Sequence, residues 1–174
     1  LPGPPVSAVI VSHDGNWVVA NAANERLLFG FRSAADGALP EAPTWVFGAP
    51  EPFSREQLGG FVYPGDRFVT VAHRTINVRA AATGEVIATA PNPVQSVVND
   101  VTASPDGSRF ALMGSSQLYL WDTAVWGQPK RVPCGQGRAL RGLAFHPTRP
   151  ILLAIQGSST VKYLDADTGK QLTK

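Results

Sequence analysis

A short turn between two apolar stretches recurs along the chain and limits the folds that are open to it. The four turns follow, in order, Ser12, Tyr63, Ser104 and His146. The intervals between these positions are 51, 41 and 42 residues. A second marker, Thr-Gly followed by a charged residue, occurs at Thr83 and Thr168, which lie 85 residues apart. That distance is about twice the interval between turns, so both markers predict the same repeat.

The stretch from Asp100 to Thr123 indicates what one repeat contains. It holds an apolar strand, the turn Ser104-Pro105-Asp106-Gly107, a second apolar strand, and a third that ends in Leu120-Trp121-Asp122. Proline at the second position of this turn fixes φ near the value that the turn needs, and glycine tolerates the positive φ that closes a hairpin. A fourth, outer strand is predicted at residues 130–134.

The other repeats show the same order of apolar runs and turn residues. Strands are predicted at 6–12, 17–21, 26–31 and 44–47, then from 59 to the turn and at 68–71, 76–79 and 86–90, and finally at 143–145, 151–155, 161–164 and 170–173. Several of these runs are apolar on both faces, as in strands packed between two neighbouring sheets. The 15 prolines and 17 glycines also favour an all-β chain, since both interrupt long helices.

About four short strands per repeat and a period in the low forties are the pattern of a β-propeller blade. The turn at Ser104 and the run Leu120-Trp121-Asp122 resemble the turn and the namesake dipeptide of WD40-repeat proteins, and Asp165 to Lys170 resembles their closing turn. The resemblance covers nearly the whole chain and implies an all-β propeller of about four four-stranded antiparallel blades. The blades span approximately residues 6–50, 57–91, 97–135 and 139–174. Bacterial lactonase-like and quinoprotein-like propellers are similar at this level.

Four blades are fewer than most rings of this family contain. In the family a strand from the opposite terminus commonly closes the ring, whereas the first five residues include Pro2, Pro4 and Pro5, which cannot donate to a ladder. We therefore expect half of a larger ring, or a portion of a longer propeller, completed by a second copy or by the rest of a parent chain. A compact four-bladed ring is the alternative.

The resemblance places most binding on the loops between the second and third strands of a blade and on those between blades. On or near these loops lie His73 and four arginines, namely Arg55, Arg74, Arg138 and Arg141. Guanidinium groups bind an acidic peptide or another carboxylate through forked hydrogen bonds, although arginines that merely face solvent are the plainer interpretation. Trp126, in the loop after the third strand of the third repeat, is the candidate for an exposed aromatic anchor.

Motifs for metal binding and catalysis are incomplete. His13, His73 and His146 are too far apart in the repeat to form a metal cluster, and turn hydrogen bonding is the favoured role for His13 and His146. The run from Asp165 to Gly169 lacks the further acidic ligands of a calcium loop, and Gly169-Lys170 lacks the Ser or Thr of a phosphate loop. No catalytic residue, cofactor or metal site is predicted.

Charge and composition narrow the range of partners. The net charge is +2 and the 15 basic residues are scattered, so no nucleic-acid partner is expected.

No apolar run has the length of a membrane span, and the amino terminus lacks the pattern of a signal peptide. A single cysteine, Cys134, leaves the redox compartment open. The start at Leu1 indicates a processed or excised chain, and the compartment stays unassigned, with the cytoplasm favoured.

The leading hypothesis is a non-enzymatic scaffold of WD40-repeat type that binds protein or peptide and self-associates or pairs with another propeller half. The alternative is a propeller enzyme of the lactonase-like or quinoprotein-like type, with its site at the central channel. A third possibility is a sensor or assembly module from a multidomain parent.

Overall fold

The computed structural model describes residues 5–22, 27–48, 56–94, 97–133, 139–157 and 160–172. The strands of these residues form four antiparallel sheets, three of four strands and one of three, and none of the described residues is helical. The predicted all-β class is therefore confirmed. The chain divides into two compact units, Leu1–Asn92 and Pro93–Lys174, and each unit contains two sheets.

The first unit contains sheets 1 and 2, whose strands follow one another in chain order. Sheet 1 consists of β1 (Val6–Val11), β2 (Trp17–Ala22), β3 (Leu27–Arg32) and β4 (Trp45–Gly48). Sheet 2 consists of β5 (Gln57–Val62), β6 (Arg67–Val71), β7 (Thr75–Ala80) and β8 (Val86–Pro91). These bounds agree with the predicted strands to within about two residues, because apolar runs and turn residues both mark them.

The second unit contains sheets 3 and 4. Sheet 3 consists of β9 (Val98–Ala103), β10 (Arg109–Gly114), β11 (Leu118–Asp122) and β12 (Lys130–Val132). Sheet 4 consists of β13 (Leu140–Phe145), β14 (Ile151–Gln156) and β15 (Thr160–Asp165). The strand predicted at 170–173 differs from the structure, which has a single bridge between Leu164 and Gln171 there. The tight turn after Asp165 uses the intervening residues, and residue 173 lies outside the described part.

Each sheet has a β-bulge at the same place in its first strand. The extra residues, one per sheet, are Ser7, Gly59, Asn99 and Arg141. Their intervals of 52, 40 and 42 residues match those between the turns. Because a bulge bends and twists its strand locally, its recurrence at one register position indicates that the four sheets repeat one structural unit.

Apolar side chains from the facing sides of sheets 1 and 2 form the core of the first unit. Val19 and Leu28 of sheet 1 cluster with Phe61 and Phe68 of sheet 2. Trp45 of β4 reaches into this core, since its ring stacks on Phe68 with the centroids 6.0 Å apart and its Nε1 donates to the carbonyl oxygen of Ala81 at 2.7 Å. The outer strand of sheet 1 is thus fixed to sheet 2.

The second unit combines an apolar core with polar links between the first strands of its two sheets. Met113 and Leu118 of sheet 3 cluster with Leu140 and Leu152 of sheet 4. Asn99 Nδ2 donates to the carbonyl oxygen of Leu140 at 3.0 Å, and Asp100 Oδ2 accepts the N–H of Leu143 at 2.7 Å. These side chains join β9 to β13 and occupy backbone groups at the edge of sheet 4. Trp121 is buried against Phe110.

Substitution of Gly30 tests the packing of Trp45. A Cβ atom at Gly30 would overlap the indole ring of Trp45, which its hydrogen bond holds in place. We expect Gly30→Ala to lower the free energy of unfolding by about 2 kcal/mol or more, as overpacking does. Gly127→Ala is the control, since nothing lies within 4 Å of its added atom, and should change stability by about 0.5 kcal/mol at most. Equal urea midpoints for both variants would contradict this packing.

Candidate functional site

His73 and Arg74 lie together in the turn between β6 and β7, and both side chains are exposed. Asn92 holds this turn, because its Nδ2 donates to the carbonyl oxygen of Ala72 at 3.0 Å and its backbone N–H donates to that of Arg74 at 3.0 Å. The first unit therefore presents an imidazole and a guanidinium side by side from a fixed backbone. Two further predicted residues, Arg55 and Arg138, lie outside the described part of the chain.

Arg141 and Trp126 lie at opposite ends of the sheets of the second unit. Arg141 is the exposed bulge residue of β13. Trp126, in the connection from β11 to β12, is half-buried, with a φ of 43° and a ring centroid 6.0 Å from that of Phe110. Its Nε1 is buried and has no hydrogen-bond partner among the described residues. The structure does not bring these two residues together, and Trp126 presents only part of its ring to solvent.

The turns that precede the second strands of sheets 1 and 3 have the same hydrogen bonds. In sheet 3, Asp106 Oδ1 accepts the Ser104 hydroxyl at 2.6 Å and the Ser108 N–H at 3.0 Å, and Ser104 Oγ accepts the Arg109 N–H at 2.9 Å. Bonds of 2.6, 3.0 and 2.8 Å link the equivalent residues of sheet 1, which are Ser12, Asp14, Asn16 and Trp17. Both turns are therefore rigid and carry a carboxylate.

The same bonds lower the pKa of these carboxyl groups. For Asp14 the main cause is the hydrogen bond from the Ser12 hydroxyl, followed by that from the Asn16 N–H. For Asp106 the largest single effect is burial, which raises the pKa, but the bonds from Ser104 and Ser108 together outweigh it. In the turn after β15, the hydroxyl and N–H of Thr168 lower the pKa of Asp165. All three groups are thus held in the ionised form.

The corresponding turn of sheet 4 carries the opposite charge. His146 Nδ1 accepts the backbone N–H groups of Thr148 and Arg149 at 3.1 and 3.2 Å, which confirms its predicted role in turn hydrogen bonding. Aligned on the first residue of the turn, Arg149 takes the place that Gly107 has in sheet 3. In sheet 1 the turn bonds are made by Ser12 and Asp14, and His13 is exposed.

A groove of about 410 Å³ lies between these turns of sheets 3 and 4, within the second unit. Pro105 and Asp106 line one side, and Phe145, Pro147 and Arg149 line the other. A neighbouring cavity of about 240 Å³ is lined partly by the same residues, which are Arg109, Ala166 and Asp167. The groove therefore combines apolar walls with charged groups of both signs.

Arg109, which lines the groove, joins sheet 3 to the turn that follows β15. Its Nε and Nη2 lie 3.0 and 2.7 Å from Asp167 Oδ1, and its Nη1 lies 3.2 Å from Asp122 Oδ2. Lys130 Nζ also donates to the carbonyl oxygen of Asp167 at 3.0 Å. Sequence analysis missed this cluster, because its central pair is separated by 58 residues and no local pattern marks it.

A second charged cluster is buried in the first unit. Arg79 is only 1% exposed, and its Nη2 lies 3.0 Å from each carboxylate oxygen of Glu56. Its Nε donates to Thr70 Oγ1 at 3.1 Å, its Nη1 donates to the carbonyl oxygen of Gly84 at 2.8 Å, and its guanidinium carbon lies 4.3 Å from the ring centroid of Phe47. The buried charge is thus both paired and hydrogen-bonded, as burial requires.

Arg79 occupies the position in sheet 2 that Trp121 occupies in sheet 3. Arg79 pairs with Phe68 across β6 and β7, and Trp121 pairs with Phe110 across β10 and β11. The sequence signal for this cluster is a charged residue, Arg79, within an apolar strand. No local pattern indicates that Glu56 would contact it. The cluster joins β6 and β7 to Glu56 and is closed to solvent, so it is not a surface site.

Sheets 1 and 4 each have one apolar face that is not packed against the neighbouring sheet of their unit. In sheet 1, Val9, Val11 and Val46 are 54%, 57% and 54% exposed, whereas the alternate residues of β1 pack in the core. In sheet 4, Ile155, Val161 and Tyr163 are 43%, 46% and 41% exposed, whereas Ala154 and Leu164 are buried in the core. We call these the outer face of sheet 1 and the outer face of sheet 4.

Neither a metal cluster nor a membrane helix is found in the described part of the chain. Within those residues, no three His, Cys, Asp or Glu side chains lie close enough to hold a metal ion. The same residues contain no helix that is long and apolar enough to cross a membrane.

Comparison with known proteins gives no family assignment. No protein-family model matches the chain, and no curated protein matches it either. The resemblance to WD40 repeats therefore rests on the quoted residues and on the four repeated sheets.

Substitution of Glu56 tests the buried ion pair. Because Glu56→Gln leaves a buried guanidinium without its counter-charge, we expect the free energy of unfolding to fall by about 3 kcal/mol. A double variant, Glu56→Gln with Arg79→Met, should recover part of that loss, since it removes the buried charge. Arg67→Ala is the control, because its pair with Asp66 is exposed, and should cost less than about 1 kcal/mol. A Glu56→Gln variant as stable as this control would show that the pair contributes little.

Acid titration tests the turn carboxylates. Their pKa values in the folded state lie below the usual 3.8, so the stability that they contribute is present above about pH 4 and is lost as the pH falls through the lower folded values. The triple variant Asp14→Asn, Asp106→Asn, Asp165→Asn should therefore lose less stability than the native chain between about pH 5 and pH 2.5. Urea midpoints across that range measure the difference, and parallel curves would contradict the assignment.

Proposed function

We propose that this chain is a segment of a β-propeller of WD40-repeat type that serves as a non-enzymatic scaffold and binds protein or peptide. Four antiparallel sheets with a bulge at one shared register position support the repeat on which the proposal rests. The blades associate with further blades, which come from a second copy or from the rest of a parent propeller.

The outer faces of sheets 1 and 4 carry this proposal. Within each unit, one face of a sheet packs on its neighbour through Val, Leu, Phe and Ala side chains. The outer faces offer side chains of the same kind to solvent, and contiguous exposed apolar surface marks sites of protein association. Contact between the outer face of sheet 1 and the outer face of sheet 4 on another copy would be heterologous, and such contacts close into rings when the rotation permits.

Loop residues and the bulge residue Arg141 supply the proposed contacts to a partner protein or peptide. His73, Arg74 and Arg141 are exposed, and a guanidinium in that setting recognises a carboxylate through two parallel hydrogen bonds. Trp126 would contribute the exposed part of its ring. Arg55 and Arg138 complete the proposed set.

Acidic substitutions on the outer faces test the association. We expect the native chain to have a solution mass above 18.4 kDa, and Val11→Glu or Ile155→Glu to return it to that value, since a buried unpaired carboxylate opposes contact. Light scattering over a range of concentrations measures the mass. Val125→Glu is the matched control, because Val125 is 74% exposed in the connection from β11 to β12 and lies on neither outer face. A folded native monomer at every concentration would contradict the proposal.

A further inference from the structure

We propose that the groove between the turns of sheets 3 and 4 binds an extended peptide segment, and that Arg149 holds an acidic side chain of that segment. The inference deepens the proposed function by naming a site and a ligand chemistry. It rests on that function for the class of ligand, a peptide, and it does not depend on association through the outer faces.

The groove has the size and the walls of a preformed peptide site. Its volume of about 410 Å³ lies in the range of small-ligand sites, roughly 300–1,000 Å³. Phe145 and the rings of Pro105, Pro147 and Pro150 line it with apolar surface that loses little conformational entropy on binding. The hydrogen bonds of Asp106 on one side and of His146 on the other fix both turns before any ligand arrives.

Among the described residues that line the groove, one cation, Arg149, can bind the carboxylate of a ligand. Arg109 is paired with Asp122 and Asp167, and both oxygens of Asp106 accept hydrogen bonds from its own turn. Arg149 lines the groove and has no acidic partner among the described residues. Its two terminal amino groups have no bond to another described residue, and together they match the two oxygens of a carboxylate.

The turns of sheets 1 and 3 indicate that the side chain of Arg149 is not needed to close the turn of sheet 4. At the position of Arg149, the turns of sheets 1 and 3 have a glycine with positive φ, Gly15 or Gly107, and they carry a carboxylate one residue earlier. In sheet 4 the imidazole of His146 accepts two backbone N–H groups and stabilises the turn without glycine or carboxylate. The turn of sheet 4 is therefore cationic where those of sheets 1 and 3 are anionic, which favours an acidic side chain at the sheet 4 side of the groove.

The inference is tested by titrating the protein with matched peptides and measuring the amide chemical shifts of the protein in NMR spectra. The probes are acetyl-Ala-Pro-Glu-Pro-Ala-amide and the same peptide with Gln in place of Glu. We expect the Glu peptide to bind about tenfold more tightly, with shifts at the amides of Thr148, Arg149 and Ile151, because a bond to a charged group is lost with Gln. Arg149→Ala should remove this preference, and Arg149→Lys should keep part of it.

Arg131→Ala is the matched control, since it removes the same charge from an exposed position on β12 that lines neither the groove nor the neighbouring cavity. It should leave the affinity for the Glu peptide within about twofold. Equal binding of the two peptides, an absence of shifts at residues 148–151, or a loss of preference in Arg131→Ala alone would overturn the inference. Solution mass is measured on the same samples: a monomeric chain that still prefers the Glu peptide counts against the proposed association and leaves the groove assignment standing.

Discussion

Face-to-face packing of apolar sheets is the interaction on which each unit of this protein depends. Phe61 and Phe68 of sheet 2 pack against Val19 and Leu28 of sheet 1, and the second unit repeats this arrangement with smaller aliphatic side chains. Burial of apolar surface contributes about 25 cal/mol per Å², so a sheet that is apolar on both faces is stabilised by a neighbour on each side. The outer faces of sheets 1 and 4 lack that second neighbour within their own unit, and this is the physical basis of the proposed association.

The repeats share one arrangement of strands but differ in the polar and charged residues at equivalent positions. The position that Trp121 fills in sheet 3 is filled in sheet 2 by Arg79, whose charge is neutralised by Glu56. The turn that carries a carboxylate in sheet 3 carries a guanidinium in sheet 4. Such exchanges keep the backbone of the repeat and change the surface or the buried contacts, which is how one scaffold acquires different sites.

Local signals explain how much of this could be predicted from the sequence. Apolar runs bounded by Pro, Asp and Gly located the strands, and Gly107 has the positive φ that its turn predicts. The pairs Arg79–Glu56 and Arg109–Asp167 were missed because 23 and 58 residues separate their partners, so only the folded chain brings them together. The groove was missed for the same reason, since its two walls come from different sheets. The roles predicted for His73, Arg74 and Arg141 stay predictions.

Hydroxyl-radical footprinting over a range of protein concentrations tests most directly whether further blades cover the outer faces. The rate of side-chain oxidation reports solvent access, and Val11, Ile155 and Tyr163 are all more than 40% exposed in the single chain. Val125, which is 74% exposed and lies on neither face, serves as the internal reference. The association model predicts that oxidation of the first three residues falls several-fold relative to Val125 as protein concentration rises. Unchanged relative rates at every concentration would contradict it.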